Sequence, residues 1–315
     1  MGGVGICQTA RMGGIGSNSR APPNYPWWRQ NTMFTIVQPR NRMVATALFV
    51  LVCAVISFPV WAQNAAPPES TTWNGMKGDV FGQKPIEPAN GIVSIDAPKR
   101  AEDAAIVPVD LHFKTDAGTG RIKTVTLIVD ENPSPVAAVF KFGPDAGVTH
   151  LATRLRVNAY SYVRAIAETE DGKLHMMETF VKASGGCSAP AMKNTDEALA
   201  NLGKMKLRVF SSKASGMEPM TRATEMQLMI RHPNNSGLQM DQVTRYYIPA
   251  HFIQGLTVSQ GNRLIMSMEG GISISEDPNF RFEFDAKPGE DIKVEAADTE
   301  GKQFKDEWPL ESSSL

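Results

Sequence analysis

The segment with the clearest chemical potential is a run of small residues around one cysteine, Gly185-Gly186-Cys187-Ser188-Ala189-Pro190. A cysteine thiolate is a nucleophile that can carry a covalent adduct. Two glycines supply a mobile backbone without side chains that could cover the thiol, and a proline cannot continue regular structure. The sequence therefore predicts that Cys187 is a covalent attachment point. It should stand out from the fold on a flexible arm formed with Gly185, Gly186 and Ser188. The alternative is a glycine-rich linker that happens to contain a cysteine.

The cysteine count adds weight to this thiol. The chain has three cysteines, and Cys7 and Cys53 lie in an N-terminal region that should not belong to the mature fold. Cys187 would then be the single cysteine of the mature protein and could not close an intrachain disulfide. Lys182 and Lys193 flank it and are expected to lower its pKa slightly. The competing interpretation is a buried, inert cysteine.

Residues 1–62 have the features of a targeting region. Arg40 and Arg42 precede an uncharged apolar run at residues 43–60, and small residues flank Trp61. This order is typical of a cleaved secretory signal peptide ending near Ala62, and the run is near the lower length limit for the alternative, a membrane anchor. We expect an over-extended start (true start Met33 or Met43) and a periplasmic location. No stable membrane span should remain after cleavage.

The remaining sequence is dominated by short β-branched and apolar runs that are separated by turn residues. Asp171-Gly172 between two such runs is a strong hairpin signal, and strands at this spacing favour β-sandwiches. The prediction is an all-β protein with two immunoglobulin-like β-sandwich domains, joined by a Gly/Cys-containing loop and a short helix from Thr195 to about Leu202. The second domain includes a strand predicted at Gln242–Tyr247. The expected segments are a disordered leader at 63–72, a first sandwich at 73–183, the arm and helix at 184–203, and a second sandwich at 204–315.

Composition excludes several functions. Residues 63–315 hold 27 basic and 33 acidic side chains, a net charge of −6, so nucleic acid is not an expected partner. None of the five histidines forms a ligand pair at helical or finger spacing, so no metal site is predicted, and His232 is interpreted as a loop residue. The chain lacks the repeats of a propeller dehydrogenase, so no cofactor is expected either.

Several motifs, in this order along the chain, resemble the SoxYZ-like carrier proteins associated with quinoprotein dehydrogenases, which are similar to a fusion of SoxY with SoxZ. The Gly185-Gly186-Cys187 segment follows the strand Thr179-Phe180-Val181, as the cysteine arm follows a sandwich in SoxY. Here, however, the chain continues beyond the cysteine, so the arm is held at both ends. The other resembling segments are Ala97-Pro98, Ala101-Glu102-Asp103 and Val107-Pro108-Val109 for SoxY, and His232-Pro233 through Gly237, Asp241, Ile274-Ser275, Asp277-Pro278-Asn279 and Phe282 or Phe284 for SoxZ.

The resemblance implies a non-enzymatic carrier that holds a sulfur-containing or other substrate on Cys187. It also implies partner enzymes of the sulfur-oxidation or quinoprotein (PQQ-dependent) alcohol dehydrogenase type. The alternative is a binding or assembly module for an exported dehydrogenase, in which Cys187 is incidental. The cargo, the identity of the partner and the oligomeric state stay open at this point.

Overall fold

The computed structural model describes residues 69–114, 120–190, 195–210 and 223–310, and these residues belong to one compact unit. The predicted signal region 1–62 and the leader up to residue 68 lie outside the described residues. Among those that are described, no helix is long and apolar enough to cross a membrane.

The described chain is a two-layer β-sandwich, which confirms the all-β prediction. The first half supplies eight strands: β1 (Ile86–Pro88), β2 (Val93–Asp96), β3 (Val107–Phe113), β4 (Ile122–Val129), β5 (Val136–Phe142), β6 (His150–Leu155), β7 (Ser161–Thr169) and β8 (Leu174–Val181). The second half supplies seven: β9 (Met205–Phe210), β10 (Ala223–Ile230), β11 (Ile253–Gln260), β12 (Arg263–Gly270), β13 (Asn279–Asp285), β14 (Ile292–Asp298) and β15 (Gln303–Trp308). The hairpin predicted at Asp171-Gly172 joins β7 to β8.

Both sheets contain strands from both halves. The nine-stranded sheet has the order β1-β8-β7-β4-β5-β12-β11-β14-β15, and the six-stranded sheet has the order β2-β3-β6-β13-β10-β9. The halves are hydrogen-bonded edge to edge where β5 pairs with β12 and where β6 pairs with β13. The two facing apolar surfaces form one core cluster that runs through both halves, from Ala89 to Leu310. The domain boundaries at 183 and 204 stay predictions.

Two helices accompany the sandwich. Helix α1 (Thr71–Phe81) covers the outer face of the nine-stranded sheet, where Trp73 packs with Ile128, Ile166 and Leu174. Its first turn is stabilised by Ser70, whose hydroxyl accepts a hydrogen bond from the Trp73 amide at 3.1 Å. Thr71 and Thr72 fall inside the leader predicted to be disordered, so that prediction was wrong for them. Helix α2 (Thr195–Ala200) confirms the predicted short helix.

One predicted strand was wrong. Residues 242–247 form a loop rather than a strand, and Tyr246 and Tyr247 are 78% and 65% exposed. The β-branched and aromatic residues of this segment favour a strand, but only an isolated bridge between Met240 and Tyr247 pairs it with a neighbour. The actual strand, β11, follows a few residues later and lies between β12 and β14.

Candidate functional site

The turn that carries Cys187 begins just beyond β8 and is docked against the first half of the chain. The amide of Gly185 donates to the Asn158 carbonyl at 2.8 Å, and the amide of Gly186 donates to the Val157 carbonyl at 3.1 Å. Gly185 has a φ of +78°, which a glycine adopts without strain. A Cβ at Gly186 would lie 2.0 Å from the Ala104 carbonyl oxygen. The glycines therefore serve close packing of the backbone here.

The second half of the chain holds the same turn from the other side. The hydroxyl of Ser236 donates a short hydrogen bond to the carbonyl of Cys187. Gln239 donates from Nε2 to the Ala189 carbonyl at 3.1 Å, and its Oε1 accepts from the Ser236 amide at 2.9 Å. These hydrogen bonds fix the backbone of the turn on both sides of the thiol-bearing residue.

Docking buries the thiol. Cys187 is 0% exposed, whereas the neighbouring Ser188 is exposed and hydrogen-bonds back to the Gly185 carbonyl at 3.2 Å. The predicted projection of the thiol into solvent on a flexible arm is therefore wrong for this structure. The physical reason is that the absence of side chains at 185 and 186 lets neighbouring backbone approach closely. The same two glycines had suggested, from the sequence alone, a mobile backbone.

The electrostatics of the thiol are set by burial and by one arginine. Burial raises the pKa of Cys187 to about 11, and the positive charge of Arg156 opposes this shift. From the sequence, the positive charge was predicted to come from Lys182 and Lys193, and no feature near Cys187 in the sequence pointed to Arg156. Lys193 lies outside the described residues. The thiol is therefore protonated at neutral pH in this docked state.

Arg156 is itself buried, with 1% of its surface exposed. It donates from its guanidinium to the carbonyls of Gly186 at 3.3 Å and Asn234 at 3.2 Å, so it links the turn to both halves. Its Nε has no hydrogen-bond partner among the described residues. Burial lowers the pKa of Arg156, and the charges of Cys187, Glu276 and Asp103 oppose that shift. The result is a cationic group beside the thiol that keeps one unused donor.

A buried polar cluster lies behind the loop that contacts Cys187. The Nε2 atoms of His251 and His232 lie 2.8 and 3.6 Å from Oδ2 of Asp298. The backbone amide of Asn234 donates to Nδ1 of His232 at 3.1 Å. His232 was interpreted as a loop residue, and its position after β10 agrees, but its side chain is fully buried. Burial, with the nearby His251, lowers the pKa of His232 to about 4, so the ring is neutral at pH 7.

This cluster is not arranged for a metal ion. Because Nδ1 of His232 accepts a hydrogen bond from a backbone amide, the single proton of the neutral ring belongs on Nε2. That nitrogen then has no lone pair to offer at the centre of the cluster. The three residues instead connect the loop at 232–236 to the turn that follows β14.

The fold and the site together define a β-sandwich protein of two intimately paired halves, with a thiol-bearing turn docked at their junction. Residues 77–187 match the family model described as "Sulfur oxidation protein SoxY", and residues 216–309 match the model described as "Sulphur oxidation protein SoxZ". The chain is a SoxYZ-like fusion that carries both segments in one polypeptide. SoxY and SoxZ are carrier or auxiliary proteins rather than catalysts.

Other comparisons add little. None of the curated protein sequences matches this chain. One solved structure, titled "The structure of a beta-glucuronidase from glycoside hydrolase family 2", aligns with 71% of this chain at 12% identity and a TM-score of 0.19. The alignment covers 20% of that enzyme's chain. A similarity this low carries no functional argument.

Proposed function

We propose that this protein is a periplasmic carrier that holds a sulfur-containing substrate covalently on the thiol of Cys187 and presents it to partner enzymes. The observation that carries this proposal is the position of the thiol: the SoxY match ends at Cys187, and the turn that bears it lies between the SoxY-type and SoxZ-type segments. The partners are enzymes of sulfur oxidation, and we extend the proposal to a quinoprotein (PQQ-dependent) alcohol dehydrogenase system. The carrier itself performs no catalysis.

Carriage requires the turn to undock, because a thiol that is 0% exposed cannot reach another protein's active site. The described hydrogen bonds that hold the turn all involve its backbone. They are the two glycine amide bonds, the bonds from Arg156 and Ser236, and the bond from Gln239. Rupture of these bonds frees the turn and leaves the strands of both sheets paired. Undocking also removes the cause of the raised pKa, so release and activation of the thiol occur together.

The attachment chemistry is then constrained. If the thiolate of Cys187 forms an S–S bond with a reduced sulfur anion, two electrons must leave, and the partner enzyme must accept them. The adduct that remains on the carrier is anionic when the sulfur anion carries a second charge. When the loaded turn docks again, Arg156, with its unused Nε donor, is a cationic group beside the sulfur.

The test is the intact mass of the protein purified without reductant from its native host. We expect a mass adduct that maps to Cys187, is removed by dithiothreitol, and is absent from Cys187→Ala. A variant that weakens docking, Gln239→Ala, should carry at least as much adduct as the wild type. Cell fractionation tests the periplasmic location, and co-purification of a quinoprotein dehydrogenase tests the extended partner assignment. A wild-type protein that never carries an adduct contradicts the carrier function.

A second function is favoured by burial of the thiol and by the exposed aromatic loop. In this alternative, the protein is a binding module for an exported dehydrogenase, and Cys187 is a packed core residue. A groove beside Tyr246 and Tyr247 is also lined by Leu199, Pro233 and His251, and it offers an apolar contact surface. This alternative predicts that Cys187→Ala keeps full function, whereas Tyr246→Ala with Tyr247→Ala abolishes partner binding.

A further inference from the structure

Two histidines and several acidic residues meet on the outer face of the six-stranded sheet. Strand β3 alternates between buried apolar residues and outward-facing ones, so Asp110 and His112 share the outer face. His112 lies directly opposite His150 on β6, and His150 lies opposite Glu283 on β13. Residues that are directly opposite on antiparallel strands project to the same face. The strand register therefore builds this cluster from residues that are far apart in the sequence.

Three donor atoms converge within the cluster. Oδ1 of Asp110 lies 2.8 Å from Nε2 of His150 and 3.2 Å from Nε2 of His112. The two imidazole rings are stacked with centroids 4.8 Å apart and an interplanar angle of 17°. All three donor atoms lie within 4.8 Å of one another. Because the two rings are nearly parallel, the exposed His112 ring must rotate before both Nε2 lone pairs point at one ion, and the donor atoms must then close to metal–ligand distances of about 2.0–2.2 Å.

A second carboxylate approaches the other ring nitrogen of His150. Nδ1 of His150 faces Oε1 of Glu225 at 3.7 Å, an ion-pair distance rather than a hydrogen bond. Without a metal, the 2.8 Å hydrogen bond to Asp110 places the ring proton on Nε2. Once Nε2 binds a metal, the proton on Nδ1 faces Glu225, and a carboxylate in this position is the usual outer-shell partner of metal-bound histidines. Arg281 also binds Glu225, at 2.6 and 2.7 Å, and holds that carboxylate in place. In the buried cluster around His232, by contrast, Nδ1 accepts a hydrogen bond from a backbone amide and so cannot hold the ring proton if Nε2 binds a metal.

We propose that Asp110, His112 and His150 form a binding site for a divalent transition-metal ion of the zinc type. Imidazole nitrogens combined with one carboxylate suit such ions better than calcium or magnesium, which prefer oxygen ligands. The side chains of His112 and Asp110 are 59% and 42% exposed, so the ion is accessible and water completes its coordination. The metal binds the neutral form of the His150 ring: it takes the place of the proton between Nε2 and Asp110, and the ring keeps its one proton on Nδ1, on the side that faces Glu225.

The site also spans the junction of the two matched segments. Its three ligands belong to the SoxY-type segment, whereas the outer-shell residue Glu225 belongs to the SoxZ-type segment. A bound ion therefore links β3 to β6 directly and is coupled to β10 through Glu225. Because the ion binds an arrangement that exists only in the folded state, it raises the thermal stability of the protein.

The experiment is titration of the tag-free protein with Zn²⁺, followed by calorimetry and by thermal unfolding. The Cys187→Ala background excludes zinc bound to the thiol. We expect one equivalent of Zn²⁺ to bind and to raise Tm. The outer-shell variant Glu225→Gln should weaken binding by about 10–100-fold, and His112→Gln should weaken it at least as much. The control is Glu269→Gln, which removes an exposed carboxylate from the other sheet and should leave zinc affinity unchanged.

Two results overturn the proposal. One is the absence of saturable binding of Zn²⁺ to the Cys187→Ala protein. The other is binding that persists in both His112→Gln and Asp110→Asn but is lost in His251→Gln, which would place the ion at the buried cluster. Both His112 and Asp110 are substantially exposed, so these variants should fold, and far-ultraviolet circular dichroism checks that they do.

Discussion

Burial of Cys187 should make the folded protein less stable in alkali. Burial raises the pKa of this thiol from its usual 9.0 to about 11. Between these two pH values the unfolded chain has lost the thiol proton while the folded protein still holds it. The unfolded state therefore binds fewer protons, and the free energy of unfolding falls as pH rises. Below pH 9 the thiol is protonated in both the folded and the unfolded states, so the loss of stability begins near pH 9.

The pKa difference sets the size of the effect. Each pKa unit corresponds to about 1.4 kcal/mol, so a thiol shifted from 9.0 to about 11 should cost the fold about 2 kcal/mol by pH 11 and about 3 kcal/mol at still higher pH. Undocking of the turn at 185–190 exposes the thiol without unfolding the sandwich. If undocking costs less free energy than ionising the buried thiol, the turn undocks first. The fall in the free energy of unfolding then levels off at the free energy of undocking. The alkaline loss of stability is then a direct measure of the energy that holds the carrier turn closed.

The assay is urea unfolding at pH 8, 9, 10 and 11 in the presence of a reductant, with wild type and Cys187→Ala compared at each pH. Lysines and tyrosines also titrate in this range, and they contribute equally to both proteins. The wild type should lose stability relative to the variant above pH 9. Equal pH dependence of the two proteins would refute the reasoning, as would iodoacetamide labelling of the native thiol at the rate of the unfolded chain.

Three further variants test neighbouring parts of the site. Gln239→Ala removes one hydrogen bond to the turn, worth about 0.5–1.5 kcal/mol, and should speed iodoacetamide labelling of Cys187 by about 2- to 10-fold. Gly186→Ala places a Cβ 2.0 Å from the Ala104 carbonyl oxygen, so it should force the turn outward, lower Tm and speed labelling more. Burial lowers the pKa of His232 from 6.5 to about 4. In urea unfolding, wild-type stability should therefore fall by about 3 kcal/mol more than that of His232→Gln as pH drops from 6.5 to 4.

Each of these variants has a matched control. Gln242→Ala removes an exposed glutamine from the same loop as Gln239, and it should leave labelling unchanged. Gly78→Ala adds a Cβ that meets nothing within 4 Å, so it should not lower Tm. His112→Gln removes an exposed imidazole and should keep the acid sensitivity of the wild type. A variant that behaves like its control shows that the assigned contact does not act as described.

The repeated short strands and their turns followed from local chemistry. Two features depend only on neighbouring residues. One is the alternation of apolar and polar residues along β3, and the other is the Asp171-Gly172 turn between β7 and β8. For the same reason the short helix α2 was predictable. Helix α1 was missed because its sequence holds two glycines, and its stability comes from Trp73 packed on the sheet and from the Ser70 cap.

The sequence by itself determined that the protein is all-β and that one thiol lies at the junction of its two halves. Only the tertiary structure decided that this thiol is buried. A pair of glycines permits either a mobile arm or close backbone contact, and the carbonyls of Ala104 and Val157 occupy the space beside Gly186. Strand register likewise brought His112 to His150, since cross-strand pairing is independent of sequence separation. Local sequence fixes the conformation that a segment can adopt, whereas long-range packing fixes which side chains meet.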